Sequence, residues 1–178
     1  MHIIITLPTC ENDIKNMQNV YYKTWLDTYP NQKLGISIDD INDKFIFALS
    51  DDGIKYKLKE ALNLPKNQKI LLANFNNIVV GVCRIISNEY QHQLQTLYIL
   101  PQYQKQGIAY LLWKEAIRSL NNNLAIVVHL ACYNIKAIEF YTRLGFVDTN
   151  RRWKDKNFIM KSGNQIPEME MILNKLLY

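Results

Sequence analysis

The chain has 178 residues, 48% of them apolar and 21% charged, with a formal charge of +5. That size and balance exclude a disordered chain and leave room for one well-buried core, not two. The surplus Lys and Arg residues are scattered, as at Lys55, Lys57 and Lys59 or Arg151, Arg152, Lys154 and Lys156, without the aromatic-interleaved stripe of a nucleic-acid binder; so mild a charge suits an acidic small ligand. No run is long enough to span a membrane. Met1–Leu7 lacks a basic start and ends at Pro8, so it reads as a first strand rather than a leader. Cys10, Cys83 and Cys132 have no metal-ligand spacing, so no metal is expected, and reduced thiols suit a cytoplasmic protein.

In chain order, Ile3–Leu7 reads as a short buried strand. Asp13–Tyr29 has helical spacing at Ile14, Met17, Tyr21, Trp25 and Tyr29, and Pro30 ends it. Ser37 can cap a second helix with Asp40 in its first turn, and Asp39, Asp40 and Asp43 read as its solvated face or as a lure for a cationic amine. Ile54–Leu62 is a further helical piece. Lys69–Phe75 and Ile78–Ile86 are strand-like and joined by Asn76-Asn77, a tight-turn pair. Leu94–Leu100 is the next strand, and Ile108–Leu120 is an amphipathic helix. Ala125–Ala131 reads as a buried strand, Asn134–Leu144 as a helix closed by Gly145, and Phe146–Trp153 and Met169–Leu173 as the last two strands. A meander followed by strands alternating with helices predicts an α/β (α+β) fold with a mixed sheet and helices on both faces. No linker divides the chain, so residues 1–178 read as a single domain.

Two stretches carry chemistry. Gln104-Lys105-Gln106-Gly107-Ile108-Ala109 joins a strand, through Pro101, to a helix start. The first N–H groups of a helix lack internal partners and sit at the positive end of its dipole, so such a loop binds anions. Gly107 adds no Cβ between backbone and ligand, and Lys105 adds a mobile charge. In the second stretch Asn134 is a natural helix cap. Tyr141 lies almost two turns later on the same face, roughly 10 Å along the axis, with the small Ala137 between them.

The strand Leu97-Tyr98-Ile99-Leu100-Pro101 with its Gln-x-x-Gly-x-Ala loop, and the segment Asn134-x-x-Ala137-x-x-x-Tyr141-x-x-x-Gly145-Phe146, together resemble the GNAT superfamily of acetyl-CoA-dependent N-acetyltransferases. The resemblance spans roughly residues 78–150. It implies a mostly antiparallel sheet of about seven strands, splayed between the fourth and fifth where the cofactor enters. It also implies that the backbone of Leu97, Tyr98 and Ile99 bonds the pantetheine arm. Lys105, Gln106, Gly107, Ile108, Ala109 and Tyr110 would cradle the pyrophosphate, Asn134 would contact the arm, and Tyr141 would protonate the leaving thiolate. Trp25 and Tyr29 are similar to a pair in the first helix of some members and either wall the acceptor pocket or pack the helix.

The chemistry supports these roles independently. A phenol with a pKa near ~10 keeps its proton at neutral pH and can give it to a forming thiolate. The attacking amine must be neutral, which needs a base, a water chain or desolvation. Gln93 stands where many members have a carboxylate and cannot act as a base, while Glu89 is a distant alternative. His129, five residues before Asn134, is the sharper candidate, or else a strand residue with a satisfied hydrogen bond. The expected partners are acetyl-CoA and a primary amine such as a polyamine, with no nucleic acid and no membrane; dimers are common among relatives, but the sequence leaves a homodimer open. Alternatives are acetylation of a protein N-terminus or lysine, and a non-catalytic acyl-CoA-binding module.

Overall fold

The computed structural model describes residues 2–118, 120–155 and 158–174. A seven-stranded sheet has the order β1-β2-β3-β4-β5-β7-β6. Its strands are β1 Ile4–Thr6, β2 Gln68–Phe75, β3 Ile78–Ser87, β4 Gln91–Ile99, β5 Ala125–Ala131, β6 Val147–Lys154 and β7 Pro167–Leu173. The helices are α1 Glu11–Thr28, α2 Ile38–Phe45, α3 Asp51–Leu62, α4 Ile108–Ile117 and α5 Ile135–Arg143. All neighbours pair antiparallel except β4 and β5, which are parallel. The expected mixed, mostly antiparallel sheet of seven strands is therefore present, and the structure adds that the fourth and fifth strands are its parallel pair.

Local signals account for several elements. Asn76 and Asn77 both take positive φ, 48° and 63°, the conformation a two-residue hairpin loop requires and one that asparagine tolerates. Ser37 and Asp40 form a reciprocal capping box at the start of α2. Gly81 on β3 is held small by its neighbours, since an added Cβ would lie 2.6 Å from Ile99 Cδ1 and 3.1 Å from Leu112 Cδ1. That contact seats α4 on one face of the sheet. Tyr98, next to Ile99 and so pointing to the opposite face, meets Tyr21 of α1 at 5.4 Å between ring centroids. Thus α1 and α4 cover opposite faces.

Some expectations need correction. The first strand is not buried: β1 is a sheet edge, with Ile4 55% exposed. In α4 the buried positions are Ile108, Leu112, Trp113 and Ala116, whereas Leu111 points to solvent. The expected end of that helix includes Ser119, which lies outside the described residues. Asp40 is neither a solvated carboxylate nor a lure for an amine. It is 2% exposed and accepts the backbone N–H of Ser37 at 2.8 Å, the Ser37 hydroxyl at 2.9 Å and the backbone N–H of Ser162 at 2.7 Å. Those bonds strap the β6–β7 loop onto α2, with help from the Asn164 amide donating to the Gly35 carbonyl at 2.8 Å. Among the described residues no helix is long and apolar enough to cross a membrane.

The core has two parts. The larger runs through both faces of the sheet, from Ile14, Met17 and Val20 of α1 to Leu112 and Phe146 on the far side. The smaller gathers Tyr29, Ile36, Ile41, Phe45, Ala131, Met160 and Ile166, with Trp25 packed against it, under the strapped loop.

The strap yields a stability prediction. Asp40→Ala leaves the Ser37 and Ser162 N–H groups without their acceptor and should cost about 2 kcal/mol, read as a lower urea midpoint at unchanged slope. Burial by itself would raise the Asp40 carboxyl, but hydrogen bonds from the backbones and hydroxyls of Ser37 and Ser162 bring it down from 3.8 to about 2. A depressed carboxyl stabilises the fold fully above its unfolded value, so this contribution should fade as pH falls from 3.8 toward about 2. Asp40→Ala should remove that part of the pH dependence.

Candidate active site

The parallel ladder between β4 and β5 is short. It joins Gln91–Leu94 to Ala125–Val128 and then stops. Beyond it β4 stays bonded to β3 as far as Ile99, and β5 to β7 as far as Ala131, so the two strands part with their facing edges unpaired. A bulge marks the point of parting. Arg84 lies opposite Thr96 while Ile85 lies opposite Leu94, which leaves Gln95 with no residue across from it on β3. The gap opens into a cleft of about 900 Å³.

The loop after β4 borders this cleft. Gln104 donates its side-chain amide to the Ile99 carbonyl at 3.2 Å, and Gln106 donates to the Gln102 carbonyl at 3.2 Å, so both glutamines brace the loop. Gly107 has φ 80° and is the N-cap of α4, and no side chain caps the helix. The first helical bond there is Leu111 N–H to the Gly107 carbonyl, 3.1 Å, so the amides of Ile108, Ala109 and Tyr110 precede the intrahelical ladder. A Cβ built on Gly107 would meet no protein atom within 4 Å, so space is kept open beside the amides. Lys105, also at positive φ, lines the cleft, as do Gly107, Ile108, Ala109 and Tyr110. An open cradle of free amides and one lysine fits a phosphate group. The Gln106 side chain is used in its brace, which leaves the part expected of its backbone amide untouched.

Leu97, Tyr98 and Ile99 of β4, His129 of β5, and Asn134 and Tyr141 of α5 line the same cleft. Asn134 caps α5 by accepting the Ala137 N–H at 3.2 Å through Oδ1, which leaves its Nδ2 group for another partner. Tyr141 is 5% exposed and packs against Phe140 and Phe146. Burial, with smaller contributions from Cys83 and Tyr98, pushes its phenol far above the usual value, so the proton stays on at neutral pH.

On the α1 side of the gap the residues are of another kind. Tyr29 and Tyr98 share a hydroxyl hydrogen bond of 3.0 Å, and the Tyr133 hydroxyl donates to the Tyr29 carbonyl at 2.9 Å. Trp25 does not border the cleft. It backs Tyr29 at 4.5 Å and touches Phe45 and Phe158. His129 Nε2 lies 3.3 Å from Glu170 Oε2, and Arg151 binds both oxygens of Glu170 at 3.1 and 3.2 Å. A carboxylate can only accept, so in the neutral ring Nε2 carries the hydrogen and Nδ1 keeps its lone pair. Glu89 lies in the β3–β4 turn, at the end of β4 away from the parting.

Sequence reasoning missed Glu170, Arg151 and Glu168. Their signal was the alternation Glu168-Met169-Glu170-Met171, which puts two carboxylates on one face of β7 and two methionines in the core.

Residues 26–161 match the acetyltransferase (GNAT) domain family, and the chain belongs to that family. It is therefore an acyltransferase domain, and the family's donor is acetyl-CoA. A curated relative, "Probable N-acetyltransferase san" of Drosophila melanogaster, is 36% identical over 91 residues, covering 46% of this chain and 50% of that protein. The chain thus spans about half the length of the curated relative it matches. Among solved structures, the PaiA N-acetyltransferase of Thermoplasma acidophilum in complex with coenzyme A is similar at TM-score 0.70 and 20% identity, covering 94% of this chain and 98% of that one. The ribosomal-protein-S18-alanine N-acetyltransferase of Escherichia coli is similar at TM-score 0.65 and 13% identity, covering 99% and 96%. These two likenesses concern the fold.

The cradle can be tested directly. Gly107→Ala forces a Cβ into left-handed backbone, costing about 1 kcal/mol, and fills the open space beside the amides. Coenzyme A binding by titration calorimetry should weaken by roughly tenfold.

Proposed function

We propose that this chain transfers the acetyl group of acetyl-CoA to a primary amine by direct attack in a ternary complex. The supporting observation is that one cleft gathers the unpaired edge of β4, the uncapped start of α4, Tyr141 and His129. Acetyl-CoA supplies an activated thioester carbonyl. The exposed edge of Leu97–Ile99 bonds its arm as an added strand would, and the amides of Ile108–Tyr110 with Lys105 hold the diphosphate. Asn134 Nδ2 steadies the arm from the other side. A backbone N–H of β4 facing the gap stabilises the negative oxygen that develops during attack.

Tyr141 faces the departing sulfur. A phenol of raised pKa is a weak acid, but the same apolar surroundings that raise it also disfavour a bare thiolate there. Tyr141 therefore donates a hydrogen bond as charge builds and passes its proton as the bond breaks. On the other side His129 Nδ1 takes the proton of the amine, directly or through water. Glu170, held by Arg151, fixes the ring and its tautomer. Tyr29 and Tyr98 wall the acceptor, backed by Trp25.

The acceptor in this reading is a small primary amine of the polyamine kind. A second reading is the N-terminus of a peptide. It is favoured by the exposure of β6, most of whose residues face solvent. It is also favoured by the Escherichia coli neighbour, named for an alanine of a ribosomal protein. The continuous sheet supports treating the chain as one domain.

Thiol release from acetyl-CoA, measured over polyamines, amino acids and peptides, tests the proposal. Tyr141→Phe should lower kcat on the order of 100-fold, with the coenzyme A dissociation constant little changed. Undiminished turnover in that variant would remove the phenol from the mechanism. His129→Gln should lower kcat/KM for the amine on the order of 10- to 100-fold, with coenzyme A binding little changed.

A further inference from the structure

Glu168 has no part in the scheme above, yet its position is distinctive. It opens β7 opposite Ala131 of β5 and Trp153 of β6. Strand alternation puts it on the face that carries His129 and Glu170, away from the core methionines Met169 and Met171. The Cys132 N–H donates to the neighbouring Pro167 carbonyl at 2.9 Å, which ties the start of β7 to the chain just before the cleft residue Tyr133.

The other acidic groups nearby are engaged. Glu170 is bound by Arg151 and His129, Asp27 pairs with Lys136 at 3.5 Å, and Asp40 is sealed in the strap. Among the described residues no Lys or Arg pairs with Glu168. It accepts the indole N–H of Trp153, and its charge acts on the Tyr29 and Tyr98 phenols and on His129. Burial, reinforced by Asp155 and opposed by His129 and Trp153, raises its carboxyl above the ordinary value. A half-buried carboxylate among aromatic rings, with no basic partner, is a place where a cation gains much on arrival.

We propose that Glu168 is the docking carboxylate for the acceptor's ammonium group, beside the parted strands and within the reach of His129. This rests on the acetyl-transfer reading and departs from it on the acceptor, favouring a singly charged amine over a polyamine. One carboxylate with no Lys or Arg partner among the described residues, flanked by Tyr29 and Trp153, selects an acceptor by a single positive charge at its reacting end and an apolar body behind it. A polycation would meet further carboxylates already held by Arg151, Lys136 or the strap.

The test uses the whole protein with n-butylamine, spermidine and a tripeptide amide as probes. In Glu168→Gln the KM for the amines that react should rise roughly 10- to 100-fold, the loss of one charge-assisted contact, and by more than kcat falls. Glu168→Asp, which keeps the charge, should recover part of that KM, and coenzyme A binding should be intact in both variants. An unchanged amine KM in Glu168→Gln overturns the docking role while acetyl transfer stands. If no probe is acetylated by the wild type, the acetyl-transfer reading fails on that result. The docking role is then decided by titrating n-butylammonium into the coenzyme A-loaded protein: binding lost in Glu168→Gln supports it, and no binding, or binding that survives, overturns it.

Discussion

The separation of β4 from β5 is the constraint from which the site follows. The two strands are held together over four residues and then pulled apart, because each has a stronger commitment on its outer side. β4 keeps its ladder with β3 through the bulge at Gln95, and β5 keeps its ladder with β7 to Ala131. Every backbone N–H and C=O needs a partner when buried. The facing edges beyond Leu94 and Val128 are therefore a row of donors and acceptors with a cleft between them. A ligand with amide groups along its length can complete such a row as a strand would.

The gap also divides the chemistry. Toward α4 and α5 lie the free amides after Gly107, the Asn134 cap and the deeply buried Tyr141, a set suited to a phosphorylated, amide-bearing thioester. Toward α1 lie aromatic rings, His129 and the carboxylates of β7, a set suited to a cationic amine. In the proposed reaction, groups of opposite charge on the two sides would keep the two ligands from competing for one place. The strap at Asp40 holds the α1 side of the gap. By binding Ser162 it draws the β6–β7 loop over the Trp25 cluster, and that packing fixes Tyr29 against Tyr98 and Tyr133.

Much of the donor side is legible in the sequence, because its devices are local. A glycine at positive φ opening a helix, an asparagine two turns before a tyrosine, and a proline after an apolar strand act through neighbours a few residues away. The same holds for the Asn76-Asn77 hairpin and the Ser37–Asp40 box. The acceptor side is far less legible. His129 can be singled out by its offset from Asn134, but its fixed tautomer depends on Glu170, 41 residues on in the chain. Asp40 reads as part of an acidic surface because the group that buries it, Ser162, is 122 residues away.

What the residues determined by themselves was the set of elements and the glycine-opened helix start after β4, since each depends on spacing, capping and backbone freedom over short stretches. Tertiary structure decided which carboxylate is paired with an arginine and which is not. Alternation along β7 puts Glu168 and Glu170 on one face, yet nothing in the chain order tells that Arg151 reaches one of them and Trp153 the other. Electrostatic pairing is a matter of distance in space, and only the β5–β7–β6 register sets those distances.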